Sequence, residues 1–204
     1  MKYLRLFENF EDIDSICKKY GITNYTINPD GSIDVDGYVN LYNKGLTKIP
    51  LKFRNVSGYF YCNYNKLTSL EGCPESIGGD FSCNTNKLMS LEGCPESIGG
   101  HFYCSGNNLT SLEGCPKSIG GDFSCNGNNL TSFDGCPQNI GGGFYCGGNP
   151  VYELWNLFRD YSKIELFNDY DIVRDDGIVI DRLNSFLEDI GKPSVKKVKG
   201  YNNI

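Results

Sequence analysis

The segment SLEGCPESIGG at residues 69–79 is repeated unchanged at residues 90–100 and, with a single Glu-to-Lys difference, at residues 111–121. Phenylalanine, asparagine, leucine and isoleucine recur in the same register, once in every 21 residues. Cysteines form two further series with this period, at Cys62, Cys83, Cys104, Cys125 and Cys146 and at Cys73, Cys94, Cys115 and Cys136. A fixed period of this length predicts a solenoid, in which each repeat forms one coil and stacked coils bury each other's apolar side chains.

The register predicts six coils, which begin near residues 39, 60, 81, 102, 123 and 144. The first coil is degenerate: Val39 and Leu41 occupy the Phe and Cys positions, and Lys44 stands where the other coils have asparagine. Phe and Cys lie two residues apart, so on a strand both side chains point to the same side. We therefore expect parallel strands that direct Phe and Cys into the core.

The pattern F-x-C-x-x-N-x-L at residues 81–88 matches the second half of L-x-x-L-x-L-x-x-N-x-L, and residues 38–151 resemble the leucine-rich-repeat family. The match departs at the first leucine position, which is Gly78. The resemblance implies an α/β repeat solenoid with a leucine-rich-repeat parallel β-sheet of about six rungs. It also implies that the asparagine column is buried and satisfies backbone groups in the turns.

A repeat of 21 residues leaves little room for a helix on the outer side of each coil. We therefore expect the segment GCPxSIGG to form a turn or a single 3₁₀ turn. The blocks SLEGCP and GGxFxC look like leucine-rich-repeat proteins of tailed bacteriophages and some aquatic bacteria, and the opening MKYLRLFENF is similar to phage protein N-termini. This narrower resemblance implies a phage protein and no defined activity.

Caps are expected at both ends of the stack, because a terminal coil would otherwise expose its core. Apolar residues at helical spacing over residues 3–20 predict an amphipathic helix, and the turn at residues 29–31 predicts a hairpin. Three further apolar groups predict three C-terminal helices, the first starting near Pro150. The expected regions are an N-terminal helix and hairpin cap at 1–37, the solenoid at 38–150, a C-terminal helical cap at 151–191 and a basic flexible tail at 192–204.

The net charge of −6 argues against a nucleic-acid partner, because phosphate contacts require a basic surface. No secretory signal is visible at the N-terminus, and no apolar run approaches the roughly 20 residues that span a bilayer. We therefore expect no membrane partner and a cytoplasmic location, which would be the host cytoplasm for a phage-encoded protein.

The ten cysteines allow three interpretations. Reduced thiols that pack as small apolar side chains are favoured, because in-register parallel strands keep Cβ atoms farther apart than the roughly 3.8 Å of a disulfide. Disulfides between some coils and a metal site remain as alternatives, although the spacing lacks the paired C-x-x-C ligands of zinc sites.

No catalytic constellation stands out. His101 is the only histidine and points outward, away from the inward cysteines. The Gly-Gly pairs precede strands and lack the following Lys-Ser/Thr of a phosphate loop. Asp80 and Asp122 lie two coils apart, about 9.6 Å, which is too far for a retaining glycosidase and near the upper limit for an inverting one. We expect no enzymatic activity, no cofactor and no metal.

The outward positions beside Phe and Cys should line the concave face, and they are rich in Tyr, Ser, Asn and Gly. Antibody-like binding surfaces use this mixture, although tyrosine also favours strands for local reasons. The candidate partner-binding residues are Tyr38, Tyr42, Tyr59, Tyr61, Tyr64, Asp80, His101, Tyr103, Asp122 and Tyr145. The leading hypothesis is a protein-binding module that uses this face, and the alternative is a structural or assembly component bound through its caps or tail.

Overall fold

The computed structural model describes residues 13–174 and 177–204 as a solenoid of stacked coils with helical segments near both ends. The strands in chain order are β1 Tyr25–Ile27, β2 Ile33–Val35, β3 Val39–Asn40, β4 Phe53–Val56, β5 Phe60–Tyr61, β6 Ser76–Ile77, β7 Phe81–Ser82, β8 Ser97–Ile98, β9 Phe102–Tyr103, β10 Ser118–Ile119, β11 Phe123–Ser124, β12 Asn139–Ile140, β13 Phe144–Tyr145, β14 Val173–Arg174 and β15 Gly177–Ile178. The expected α/β repeat solenoid is thereby confirmed.

One parallel sheet contains the six strands that the register predicts, in the order β13-β11-β9-β7-β5-β3. Equivalent residues pair across neighbouring strands, so that Phe81 lies opposite Phe60 on one side and Phe102 on the other. Every step between these strands is therefore one repeat of 21 residues. Five full turns separate the first strand from the sixth.

A second sheet corrects the expectation that GCPxSIGG forms only a turn. Its Ser-Ile pair is a strand in three coils (β6, β8 and β10), and the corresponding Asn-Ile pair is a strand in the next (β12). These strands extend a seven-stranded sheet in the order β1-β2-β4-β6-β8-β10-β12. The isoleucines, such as Ile77 and Ile98, pair in register and point into the core. Backbone groups find partners on neighbouring coils here, which gives parallel strands instead of the local bonds of a 3₁₀ turn.

Glycine at the corner between the two sheets permits this close stacking. A Cβ atom on Gly120 would lie 2.0 Å from the carbonyl oxygen of Gly99, and one on Gly99 would lie 2.3 Å from that of Gly78. These distances are far below any van der Waals contact. The Gly-Gly pairs are therefore required because one backbone passes directly over the next.

The core is a set of columns that run along the stack. Phenylalanine rings lie above one another, with ring centroids 5.2 Å apart for Phe81 and Phe102 and 5.3 Å apart for Phe102 and Phe123. Leucine and cysteine columns fill the remaining interior, and Leu67, Leu88, Leu109 and Leu130 are fully buried. Since no single coil could bury these side chains alone, the burial couples the stability of each coil to its neighbours.

The asparagine column satisfies buried backbone groups between coils, as the resemblance implies. The amide of Asn86 donates to the carbonyl oxygens of Cys83 (3.0 Å) and Cys62 (3.1 Å), and its Oδ1 accepts from the N–H of Leu67 at 3.0 Å. Asn107, Asn128 and Asn149 repeat these bonds one coil at a time. Each asparagine therefore links its own coil to the preceding one.

The N-terminal cap combines a helix with the predicted hairpin. Residues 13–20 are helical (α1) and bury Ile13 and Cys17, whereas the expected helical residues 3–12 lie outside the described part of the chain. Strands β1 and β2 pair antiparallel, and β2 then pairs parallel with β4. The hairpin thus belongs to the second sheet, so this sheet extends into the expected cap region.

The C-terminal cap contains the three predicted helices, α2 Tyr152–Phe158, α3 Ile164–Asp169 and α4 Ile180–Asp189, with a 3₁₀ turn at Tyr161–Lys163. Aromatic rings join it to the last coils: Phe133 meets Phe158 at 5.9 Å and Phe167 at 5.3 Å, and Trp155 meets Phe144 at 5.1 Å, each edge to face. This cluster covers the open end of the core.

The C-terminal tail differs from the flexible segment that we expected. Ile178 donates its N–H to Asn202 O at 2.7 Å and accepts from the N–H of Ile204 at 2.8 Å. The hydroxyl of Tyr201 donates to Thr131 O at 2.9 Å, and Val198 is buried. Val198 and the residues that follow the last lysine therefore anchor the tail to the cap and to the last coils, which its basic composition obscured.

Candidate binding face

The candidate site consists of three outward columns on the six-stranded sheet, which we call the tyrosine face. They are Tyr38, Tyr59, Asp80, His101, Asp122 and Gly143 before each Phe position; Asn40, Tyr61, Ser82, Tyr103, Ser124 and Tyr145 after it; and Tyr42, Asn63, Asn84, Ser105, Asn126 and Gly147 after each Cys position. The buried Phe and Cys residues alternate with these positions along each strand, which directs the three columns outward.

Three tyrosines form a stack at the N-terminal end of the face. The ring of Tyr59 lies 4.8 Å from that of Tyr38, with an interplanar angle of 14°, and 4.3 Å from that of Tyr61, at 24°. The stack covers ring faces of all three side chains. Mutual packing restricts the rotamers of these side chains before any partner binds.

Tyr42 and Tyr64 form a separate pair at the border of the face. Their rings meet edge to face at 5.4 Å, and both side chains are exposed. Tyr64 has a φ of +57°, in the left-handed region, in the same register as Gly106 and Gly127. Glycine would be the usual residue for this backbone, so tyrosine here is held in a strained conformation.

A chain of side-chain to backbone hydrogen bonds runs through the middle of the face. Asp80 Oδ1 accepts from the N–H of His101 at 2.8 Å, His101 Nδ1 accepts from the N–H of Asp122 at 2.8 Å, and Asp122 Oδ1 accepts from the N–H of Gly143 at 2.7 Å. Because His101 Nδ1 accepts, the proton of the neutral ring lies on Nε2, which points away from this bond. The three predicted residues therefore act together as one array.

The second column alternates tyrosine with serine over the last five coils. Tyr61 and Tyr103 flank Ser82, and Tyr103 and Tyr145 flank Ser124; the two serines are buried beneath the rings. Burial, followed by the negative charge of Asp80, raises the pKa of Tyr61 and of Tyr103. Both hydroxyl groups therefore stay protonated as hydrogen-bond donors at neutral pH.

The third column adds polar residues that were not among the candidate residues from sequence. Asn84 Oδ1 accepts from the N–H of Ser105 at 2.6 Å, and Asn126 Nδ2 donates to Ser124 Oγ at 2.8 Å. Asn63 Oδ1 is buried and has no hydrogen-bond partner among the described residues. The 21-residue register places these residues on the concave face from sequence alone, although the list of candidate partner-binding residues did not include them.

The cysteines lie inside the coils, apart from the tyrosine face. All ten are free thiols, and burial raises the pKa of nine of them, for example that of Cys146 to about 12. Such thiols remain protonated and are poor nucleophiles. In the described ranges 13–174 and 177–204, no three His, Cys, Asp or Glu side chains are placed to hold a metal ion together.

Comparison with family models, with curated proteins and with solved structures finds no match to this chain. Among the described residues, no helix has both the length and the apolar composition needed to cross a lipid bilayer. The arrangement of the tyrosine face itself therefore carries the functional argument.

Proposed function

We propose that this chain is a non-enzymatic binding module that engages a partner protein through the tyrosine face. The supporting observation is the stack of Tyr38, Tyr59 and Tyr61 next to the hydrogen-bonded array of Asp80 and His101. Tyrosine offers a large contact area at low entropic cost, and neighbouring Ser and Asn groups adapt their hydrogen bonds to the partner. The three columns contain no Lys or Arg, which a purely solvated surface would commonly display.

Preorganisation of the face supports this proposal. Rings already packed on one another lose little further freedom when a partner binds, so more of the contact energy contributes to affinity. The short strands below the face are fixed by parallel pairing on both sides, as for β7 between β5 and β9. A rigid sheet carrying aromatic side chains suits protein recognition better than it suits covalent chemistry, for which the face offers no paired nucleophile and base.

We further infer that the chain is a leucine-rich-repeat protein encoded by a phage and acting in the host cytoplasm. The hydrogen bonds of the buried asparagines and the inward Phe, Cys and Leu columns are consistent with the leucine-rich-repeat pattern. The second strand in each coil departs from the helix or 3₁₀ segment that many repeats of this kind carry.

The alternative function is that of a structural or assembly component held through its caps or tail. The tail residues Tyr201 and Ile204 already make hydrogen bonds within the chain. A partner that bound the tail would have to compete with these contacts, so we favour the tyrosine face.

A photo-crosslinking experiment tests the proposal. The crosslinking amino acid p-benzoylphenylalanine is placed at Tyr61, at Tyr103 or, as a control, at Met89, which is exposed outside the tyrosine face. Each variant is exposed to lysate of the host cell, and the adducts are identified by mass spectrometry. We expect a common protein adduct at Tyr61 and Tyr103 that is absent at Met89, and that is lost when Tyr59 and Tyr145 are changed to alanine. Adducts of the same protein and yield at all three positions would contradict the proposal.

A further inference from the structure

Two coils of the solenoid carry the same five residues, DFSCN, at 80–84 and at 122–126. The coils before, between and after them carry Tyr61, Tyr103 and Tyr145 at the serine position. The tyrosine face therefore repeats with a period of two coils. It contains two equivalent notches, each with a buried serine at its base, a tyrosine on either side and an aspartate beside it.

The first notch has Ser82 at its base, between Tyr61 and Tyr103, with Asp80 beside it. Asp80 Oδ1 is held by the N–H of His101 at 2.8 Å, whereas Oδ2 makes only a long contact of 3.4 Å with the hydroxyl of Tyr61. One carboxylate oxygen thus fixes the side chain, and the other retains capacity to accept hydrogen bonds from a ligand.

The second notch has Ser124 at its base, between Tyr103 and Tyr145, with Asp122 beside it. Asp122 Oδ1 accepts from the N–H of Gly143 at 2.7 Å, and its Oδ2 lies 3.4 Å from His101 Nδ1, which is itself an acceptor. The side chain of Asp122 is 35% exposed. Within residues 13–174 and 177–204 this oxygen also has no closer donor, so the two notches share the same unsatisfied chemistry.

The charge of the face identifies the kind of group that fits. Its three columns carry two carboxylates and neither lysine nor arginine. A carboxylate next to aromatic rings favours a planar cation, because a guanidinium stacks on a ring and donates hydrogen bonds to carboxylate oxygens at the same time. Arginine meets both requirements, whereas the compact lysine ammonium meets only the second equally well.

The spacing of the notches identifies the backbone that would carry two such groups. Two coils of a parallel stack span about 9.6 Å. Side chains on one face of a polyproline-II helix recur every three residues, about 9.3 Å apart. On a β-strand, residues two apart lie about 6.7 Å apart, which is too short, and an α-helix approaches the distance only at seven residues, about 10.5 Å.

We propose that the two notches bind two arginine side chains, three residues apart, on a polyproline-II segment of the partner that runs along the solenoid axis. This proposal rests on the proposed function and adds the chemistry of the partner. The Asp80 notch takes one guanidinium and the Asp122 notch the other, and Tyr103, whose ring stacks on that of His101 at 5.8 Å, lies between them.

Fluorescence anisotropy with synthetic peptides tests this spacing. The main probe is a fluorescein-labelled proline peptide with two arginines three residues apart, and two control peptides place the arginines two or four residues apart. A third control replaces both arginines by citrulline, which keeps the shape and removes the charge. A fourth is an alanine-rich helical peptide with arginines seven residues apart. We expect the main probe to bind at least about tenfold more tightly than each control. The controls with a different spacing can place only one arginine in a notch, and the citrulline control has no charged group for either carboxylate.

Isosteric variants test the role of the carboxylates. In Asp80→Asn/Asp122→Asn each side chain keeps the oxygen that accepts from the next coil, so the fold should persist. The matched control, Glu92→Gln/Glu113→Gln, removes two exposed carboxylates outside the tyrosine face. We expect the Asp variant to weaken binding of the main probe at least about tenfold and to reduce its salt dependence, and the Glu control to leave both unchanged.

Equal affinity for any control peptide, unchanged binding by the Asp variant, or no binding of the main probe would overturn this inference. The crosslinking experiment at Tyr61 and Tyr103 decides the proposed function independently. A tyrosine-dependent protein adduct combined with failure of the peptide would leave the binding module in place and remove only the arginine assignment.

Discussion

Asp80 accepts, through Oδ1, a hydrogen bond of 2.8 Å from the backbone N–H of His101, which lies 21 residues later in the next coil. Asp122 makes the equivalent bond to Gly143 at 2.7 Å. These N–H groups find no partner in the parallel strands, so the side chains of the tyrosine face complete the bonding between coils. The proposed recognition and the stability of the stack therefore rest in part on the same residues.

Replacement of Asp122 separates the contribution of its hydrogen bond to stability from that of its charge. We expect Asp122→Ala to lower the free energy of unfolding by about 1 kcal/mol, because the N–H of Gly143 loses its acceptor. Asp122→Asn keeps an acceptor oxygen and should cost less than about half of that. Urea unfolding followed by circular dichroism measures both values. Equal losses for Ala and Asn would show that the charge, and not the hydrogen bond, stabilises this position.

The buried asparagines should contribute more than the surface bonds. In Asn107→Ala the carbonyls of Cys83 and Cys104 and the N–H of Leu88 all lose a partner inside the core. The two carbonyls keep one donor each, from Asn86 and Asn128, so only the N–H of Leu88 is left unpaired. We expect a loss of about 2–4 kcal/mol from this unpaired N–H together with the two lost bonds to the carbonyls. The exposed neighbour Asn108→Ala is the matched control and should lose less than about 0.5 kcal/mol. Similar unfolding midpoints for the two variants would exclude a structural role for the asparagine column.

The corner between the sheets should not tolerate a methyl group. In Gly120→Ala the new Cβ would lie 2.0 Å from Gly99 O, so the coils must separate. We expect a loss of more than about 3 kcal/mol or a failure to fold cooperatively. Gly147→Ala is the control, because its Cβ would come no closer than 3.2 Å, to Asn126 Oδ1. Thermal unfolding distinguishes them, and a Gly120→Ala protein as stable as the control would contradict the stacking described here.

Stability should fall at alkaline pH because of the buried thiols. Burial raises the pKa of Cys146 from 9.0 to about 12, so the folded state holds its proton more tightly than the unfolded state. Between these values the unfolded thiol ionises and the folded one does not, so stability is full below pH 9 and declines up to about pH 12. The slope from one such group is about 1.4 kcal/mol per pH unit.

The variant Cys146→Ala isolates the contribution of this thiol. Between pH 9 and 11 the stability of this variant should fall less steeply with pH than that of the unmodified protein. The difference in slope should correspond to roughly one proton, and the urea midpoint at each pH measures it. Parallel curves of stability against pH for the two proteins would mean that the Cys146 thiol has the same pKa in the folded and unfolded states.

The 21-residue register was sufficient to predict the six-stranded sheet, because one column of Phe fixes the pairing of every coil, as it does for Phe81 and Phe102. Strands β6, β8, β10 and β12 of the second sheet were missed because each contributes one inward isoleucine in place of the Phe-x-Cys pair, and a Gly-Gly pair follows it. So short a segment has no periodicity of its own, and only the neighbouring coils make it a strand.

The tail and the polar array required the three-dimensional structure for a different reason. Ile178 pairs with a segment more than 20 residues away whose lysines indicate solvent exposure. The outward columns correctly grouped Asp80, His101 and Asp122, but their bonds join a side chain to the backbone of the next coil. Residue patterns give the direction of a side chain and leave the position of a neighbouring N–H undefined.

The alternation of tyrosine and serine along the second column limits how this protein can change in length. Nearly identical repeats are prone to unequal recombination, and loss or gain of one 21-residue unit would keep every core column in register. Such a change would nevertheless place two tyrosine coils or two serine coils side by side and break the regular alternation of the notches. Only steps of two coils, twice 21 or 42 residues, preserve the surface. The core therefore tolerates the gain or loss of single coils, whereas the tyrosine face keeps its alternation only when coils are gained or lost in pairs.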